Sequence, residues 1–103
     1  MDGTFDRNTR PATLRLRGEL EIGEAAELQA RLLEALVLGE PIQVDLEGVT
    51  RVDVTGLQLL TAAERAASSR GAGWVRSGAL PESLRRAAEE AGWERIPFAG
   101  EAA

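Results

Sequence analysis

Three strand patterns alternate with three helical patterns along this chain, and that order restricts the folds it can adopt. Residues 13–17 and 42–46 alternate apolar and polar side chains, which is the period of a strand with one buried face. A third, short strand is predicted at residues 74–76. Short edge strands are also predicted at residues 4–6 and 95–98, the latter because Pro97 lacks a ladder donor.

The helical patterns lie between and after these strands. Leu28, Leu32 and Leu36 recur at helical spacing within residues 24–38, and Gly39 ends the pattern. A second helix is predicted over residues 58–70, and a third begins at Pro81 and ends at Gly92. Strands and helices in this order favour an α/β fold with a mainly parallel, mixed sheet of about four or five strands and helices packed against it.

The length of 103 residues allows one domain with a single core of modest size. All the strong patterns lie within residues 12–98, so the domain is placed there. Residues 1–11 form an N-terminal segment that contains the predicted edge strand. Residues 99–103 are expected to form a flexible tail.

The chain contains neither Cys nor His, which removes thiolate chemistry, zinc–thiolate sites and the commonest general base. Carboxylates and hydroxyls remain. Asp45 and Asp53 lie near the carboxyl end of a predicted strand, where a parallel sheet places ligand sites, and they suit Mg²⁺ or an aspartyl phosphate. However, Thr55 stands where a haloacid-dehalogenase-type phosphatase needs a second Asp, and the chain has no Lys for a receiver domain. We therefore predict a protein that is not an enzyme and holds no cofactor or metal.

The formal charge of −5 argues against binding to nucleic acid or to an anionic membrane surface. The N-terminus shows no signal-peptide pattern, and no apolar run approaches the roughly 20 residues that span a bilayer. These features predict a cytoplasmic protein without direct membrane insertion, whose partner is another protein.

The candidate site is the junction between the strand at residues 42–46 and the second helix. Thr55 is a favoured N-cap residue, and Gln58 stands where a capping box needs its second partner. Gly56 has no Cβ, so that another surface could approach closely, and the positive end of the helix would favour a phosphate on Thr55. From these residues alone, Thr55 is either only a cap or a cap that also accepts phosphate. Asp53 either caps the helix, pairs with Arg51, or holds the hydroxyl toward a partner.

Several short motifs, in this order, resemble a STAS domain, the family of bacterial anti-sigma-factor antagonists. They are Leu-Arg-Gly-Glu-Leu at residues 16–20, Val-Asp-Leu-Glu-Gly-Val at 44–49, Asp-Val-Thr-Gly-Leu at 53–57, Ser-Leu-Arg-Arg at 83–86 and Ala-Gly-Trp at 91–93. The resemblance extends from Leu14 to Phe98, about four fifths of the chain.

The resemblance implies a STAS fold and partner switching. In this family a serine/threonine kinase, which is itself the anti-sigma factor, phosphorylates the hydroxyl residue that precedes the Gly, and here that residue is Thr55. The chain is thereby predicted to control transcription by binding a kinase or anti-sigma factor. The predicted partner-binding residues around Thr55 are Asp53, Val54, Gly56, Leu57 and Gln58.

A second family member gives an alternative. Val-Thr-Arg-Val-Asp at residues 49–53 is similar to a Val-Ser-Arg-Val-Asp run in the STAS subunits of bacterial lipid-transport ABC complexes. This resemblance implies a regulatory subunit that contacts the ABC transporter ATPase through the same helix face, without phosphorylation.

Overall fold

The computed structural model describes residues 1–100. Its helices are α1 (Ala25–Val37), α2 (Val54–Ser69) and α3 (Glu82–Glu90), and a 3₁₀ turn at Ile22–Glu24 precedes α1. Its strands are β1 (Asp2–Asp6), β2 (Ala12–Leu20), β3 (Ile42–Val52) and β4 (Val75–Ser77). The predicted α/β fold class is confirmed.

The four strands form one mixed sheet in the order β1-β2-β3-β4. Strand β1, which lies in the predicted N-terminal segment, is antiparallel to β2, whereas β2, β3 and β4 are parallel. Helices α1 and α2 connect the parallel strands, as expected for strand-helix-strand crossovers.

Alternate residues of β2 and β3 lie in the core. Leu14 and Val44 are register partners and are almost fully buried together with Leu28 of α1 and Leu60 of α2. Between these buried positions the sheet carries polar residues on its other face, including an ion pair between Arg15 and Asp45 at 2.9 Å. The alternation that predicted the strands therefore matches a sheet with one buried face.

Two predicted features are wrong, and each has a local cause. Helix α2 begins at Val54 and not at Gln58, because the side chain of Asp53 caps it. Residues 95–98 form no strand. Pro97 and Phe98 are instead buried, and Phe98 has a positive φ of 61°, which belongs to a turn and not to a strand. Residues 101–103 of the predicted tail lie outside the described part of the chain.

Candidate protein-binding site at the start of α2

Asp53 is the N-cap residue of α2. Its backbone is extended, and its Oδ1 accepts a hydrogen bond from the backbone N–H of Gly56 at 3.0 Å. A carboxylate at this position satisfies a free helical N–H and lies at the positive end of the helix dipole. The prediction that Thr55 is the cap is therefore wrong, because Thr55 is already the second residue of α2. The simpler interpretation of Asp53, as a carboxylate that caps the helix, is confirmed.

The second carboxylate oxygen of Asp53 binds a different part of the chain. Its Oδ2 accepts a hydrogen bond from the backbone N–H of Ile22 at 2.8 Å, and its own N–H donates to the Leu20 carbonyl at 3.3 Å. Asp53 therefore fastens the turn after β2 to the start of α2. The predicted ion pair between Asp53 and Arg51 is absent from residues 1–100, where Arg51 lies 3.4 Å from Glu19 and 3.5 Å from Glu21.

Gly56 is buried against the backbone of β2. A Cβ at this position would lie 2.2 Å from the Leu20 carbonyl oxygen and 3.1 Å from a methyl group of Val52. The missing side chain thus allows α2 to approach β2. The surface that approaches Gly56 closely belongs to this chain, at Leu20 and Val52. The next residue, Leu57, is fully buried in the core. Both residues therefore pack within the fold, and their contact with a partner stays a prediction.

Three predicted site residues remain accessible. Val54 is 48% exposed, Gln58 is exposed, and Thr55 is partly exposed. The hydrogen bonds that fix this turn use the Asp53 carboxylate, so they leave the Thr55 hydroxyl unengaged within residues 1–100. Asp53 itself is half-buried, and both of its oxygens are used by the fold.

Ile22 is not among the predicted site residues, but its hydrogen bond to Asp53 brings it beside the start of α2. Its side chain is 74% exposed, and with Val54 it gives this region two apolar side chains in solvent. The only local signal is an apolar residue within Glu-Ile-Gly-Glu at residues 21–24 that neither the strand pattern nor the helix pattern buries. We call Ile22, Val54, Thr55 and Gln58 the α2-start surface.

The two carboxylates considered for Mg²⁺, those of Asp45 and Asp53, both bind other groups of this chain. Asp45 pairs with Arg15 and also accepts a hydrogen bond from the backbone N–H of Glu47. Within residues 1–100, no group of three or more acidic side chains is placed to hold a metal ion. In the same part of the chain, no helix is long and apolar enough to cross a membrane.

A family model described as "Mlab, STAS domain" matches residues 4–98. None of the curated protein sequences matches this chain. Among solved structures, the anti-sigma factor antagonist SpoIIAA in its unphosphorylated form has a TM-score of 0.63 at 20% identity, covering 89% of this chain and 86% of SpoIIAA. The phosphorylated form of the Bacillus cell fate determinant SpoIIAA has a TM-score of 0.64 at 19% identity, covering 88% of this chain and 84% of SpoIIAA.

A third structure, of a protein called Mglu, has a TM-score of 0.63 at 20% identity over 74% of this chain. This chain spans only 19% of Mglu. At such identities the structural matches show the fold alone, whereas the family model covers nearly the whole described chain. The predicted resemblance is confirmed, and the chain belongs to the STAS domain family.

Proposed function

We propose that this chain is a non-enzymatic regulator that binds a serine/threonine kinase or anti-sigma factor through the α2-start surface, and that phosphorylation of Thr55 controls this binding. The observation that carries the proposal is the position of Thr55. Thr55 is partly exposed at the positive end of α2, its hydroxyl is not used by the cap, and it follows the exposed Val54 in the α2-start surface. The SpoIIAA-like fold supports protein binding as the type of function.

The unmodified surface suits a protein interface. Burying Ile22 and Val54 against a partner would remove two apolar side chains from water, which favours association by about 1 to 2 kcal/mol for each. The neighbouring Asp53 carboxylate is already hydrogen-bonded within the fold, so its polar atoms need no partner group.

Phosphorylation would reverse this preference. A phosphate adds a charge of about −1.5 to −2, and inside an interface that charge would lose its hydration beside two apolar side chains. The helix dipole offsets only about 0.3 to 1 kcal/mol of this cost. Because Asp53 and not Thr55 caps α2, the modification can weaken binding without opening the helix.

A second candidate is a subunit of a lipid-transport ABC complex that contacts the ATPase subunit through the α2-start surface without phosphorylation. Two observations favour it, namely the Val-Thr-Arg-Val-Asp run at residues 49–53 and the description of the matching family model as Mlab. In this case the unmodified Thr55 hydroxyl would lie permanently within the interface.

Isolation of the protein from its native cells, with phosphopeptide mapping and identification of the proteins that copurify, tests both candidates. Phosphate on Thr55 together with a kinase or anti-sigma factor is the expected result. A Thr55 that is never modified, together with a copurified transporter ATPase, would establish the second candidate. Labelling by the copurified kinase should disappear in Thr55→Ala, and persistent phosphate on Thr61, Ser68 or Ser69 would contradict the site.

A further inference from the structure

A cleft of about 380 Å³ lies between α2 and the segment that follows α3. Helix α2 contributes Gln58, Thr61 and Arg65, and the opposite wall is formed by Trp93, Glu94 and Arg95. Gln58 also belongs to the α2-start surface, so the cleft is continuous with that surface. A partner that covers Thr55 and Gln58 would therefore reach the cleft.

The wall opposite α2 is held in place by Glu64. One of its carboxylate oxygens pairs with the Arg95 guanidinium at 2.7 Å, and the other accepts the backbone N–H of Phe98 at 3.1 Å. The hydrogen bond and the ion pair with Glu64 raise the pKa of Arg95 above its ordinary value. Glu64 is the less exposed partner, with 19% side-chain exposure against 64% for Arg95. The cleft is thus formed before any partner binds.

Two guanidinium groups line this cleft and also a neighbouring cleft of about 640 Å³. Arg95 is already paired with the Glu64 carboxylate, which also binds the backbone of Phe98. Arg65, in contrast, takes part in none of the ion pairs within residues 1–100. Glu94 is exposed on the opposite wall and is likewise unpaired within the described chain. Arg65 is therefore the free cation that the cleft offers to an anion, although the chain as a whole carries a charge of −5.

The cleft also offers an apolar side chain. The indole of Trp93 is partly buried against the core and still lines the cleft. A half-exposed Trp next to an unpaired Arg is the combination from which binding hot spots are commonly built.

We propose that this cleft docks an acidic segment of the protein partner, with an apolar side chain against Trp93 and a carboxylate on Arg65 and Arg95. This inference rests on the proposed function, because it assigns the cleft to the same partner that covers the α2-start surface. It adds a second contact, which does not involve Thr55 and which selects the partner by charge.

The probes are two capped hexapeptides. The first contains a Phe and a Glu, and the second is identical except that Lys replaces the Glu. Each is added to the unphosphorylated protein at up to about 10 mM, and the two indole N–H signals are followed by NMR. The Glu peptide should shift the Trp93 signal and bind about fivefold more tightly than the Lys peptide, as expected for one exposed ion pair. The preference should diminish at high salt.

Variants separate the cleft from a general charge effect. Arg65→Gln should abolish the preference for the Glu peptide, whereas Glu94→Gln should increase it by removing a nearby like charge. Arg86→Gln, which removes an exposed Arg from α3, is the matched control and should change nothing. Equal affinity for both peptides, no shift of the Trp93 signal, or an undiminished preference in Arg65→Gln would overturn the proposal.

Inorganic phosphate is a further arm of the experiment. If phosphate alone shifts the Trp93 signal as strongly as the Glu peptide does, the site binds small oxyanions and the docking proposal is wrong. Peptide binding requires neither a kinase nor Thr55. If the peptides bind but phosphate is never found on Thr55 in cells, the docking proposal holds and the proposed control by phosphorylation is wrong. If phosphate is found on Thr55 but the peptides do not bind, only the docking proposal is wrong.

Discussion

The carboxylate of Asp53 joins two connections that are distant in sequence, because its Oδ2 accepts a hydrogen bond from the backbone N–H of Ile22 at 2.8 Å. The other oxygen of the same group caps α2 through Gly56. One side chain thus fixes both the start of the helix that carries Thr55 and the turn that exposes Ile22. The geometry of the α2-start surface depends on this bond.

Replacement of Asp53 should therefore destabilise the fold. Asp53→Ala removes the cap and leaves the Ile22 N–H without its partner, which should cost about 2 kcal/mol in the free energy of unfolding. Asp53→Asn keeps one oxygen to accept a hydrogen bond, so we expect about half that cost. Chemical denaturation measures both. Asp2→Ala, at an exposed position, is the control and should change stability by less than about 0.5 kcal/mol; an Asp53→Ala variant no less stable than this control would contradict the role of Asp53.

Thr55→Ala should leave stability nearly unchanged, within about 0.5 kcal/mol, because the hydroxyl contributes nothing to the cap and Ala is the better helix former. Thr55→Ser should behave in the same way. The measurement is again chemical denaturation. A loss of about 1 kcal/mol in Thr55→Ala, reversed in Thr55→Ser, would mean that the hydroxyl caps α2 in solution.

Gly56→Ala should be among the most damaging small substitutions in this chain. The added Cβ would lie 2.2 Å from the Leu20 carbonyl oxygen, so α2 or β2 must move, at a cost of about 3 kcal/mol or more. Gly23→Ala is the matched control, because a Cβ at Gly23 meets nothing within 4 Å. Thermal unfolding should show a large drop in Tm for Gly56→Ala and almost none for Gly23→Ala. Equal Tm values would show that α2 does not pack on β2 as described.

Glu64→Ala should loosen the segment that follows α3. The change removes the ion pair with Arg95 and the acceptor for the Phe98 N–H, and it should cost about 1 to 2 kcal/mol. Amide hydrogen exchange should become faster at Phe98 while the amides in β3 retain their protection. Glu90→Ala, at an exposed position of α3, should leave both unchanged. Unchanged exchange at Phe98 in Glu64→Ala would contradict the role of Glu64 as an anchor.

The spacing of apolar residues predicted most helices and strands, because the buried face of each element repeats at a fixed interval within its own segment of sequence. The alternation around Leu14 and Val44, and the helical spacing of Leu28 and Leu32, match the residues that the core buries. The predicted strand at residues 95–98 failed because its apolar residues are buried by contacts with other elements. Phe98 is held by Glu64, which lies 34 positions earlier in the chain.

The sequence indicated the start of α2 as the candidate site, which stays a prediction, but it did not indicate the structural roles of the residues there. Thr55 and Asp53 are both good caps, and the choice between them depends on the extended backbone of Asp53 and on its bond to Ile22, 31 positions away. Likewise, a Gly at the start of a helix fits either a partner or this chain's own backbone, and only the position of the Leu20 carbonyl decides between them. Such contacts between distant segments have no periodic signature in the sequence.

The last prediction concerns binding by the α2-start surface. Thr55→Glu places a carboxylate next to Val54 and imitates part of the charge of a phosphate, so it should weaken binding of the copurified partner at least tenfold, about 1.4 kcal/mol. Calorimetric titration measures the affinity, and circular dichroism should remain native because Asp53 still caps α2. Thr4→Glu introduces the same charge at an exposed position of β1 and should leave the affinity unchanged. An equal loss in both variants would point to the net charge of the chain as the cause, and undiminished affinity in Thr55→Glu would place the partner on another surface.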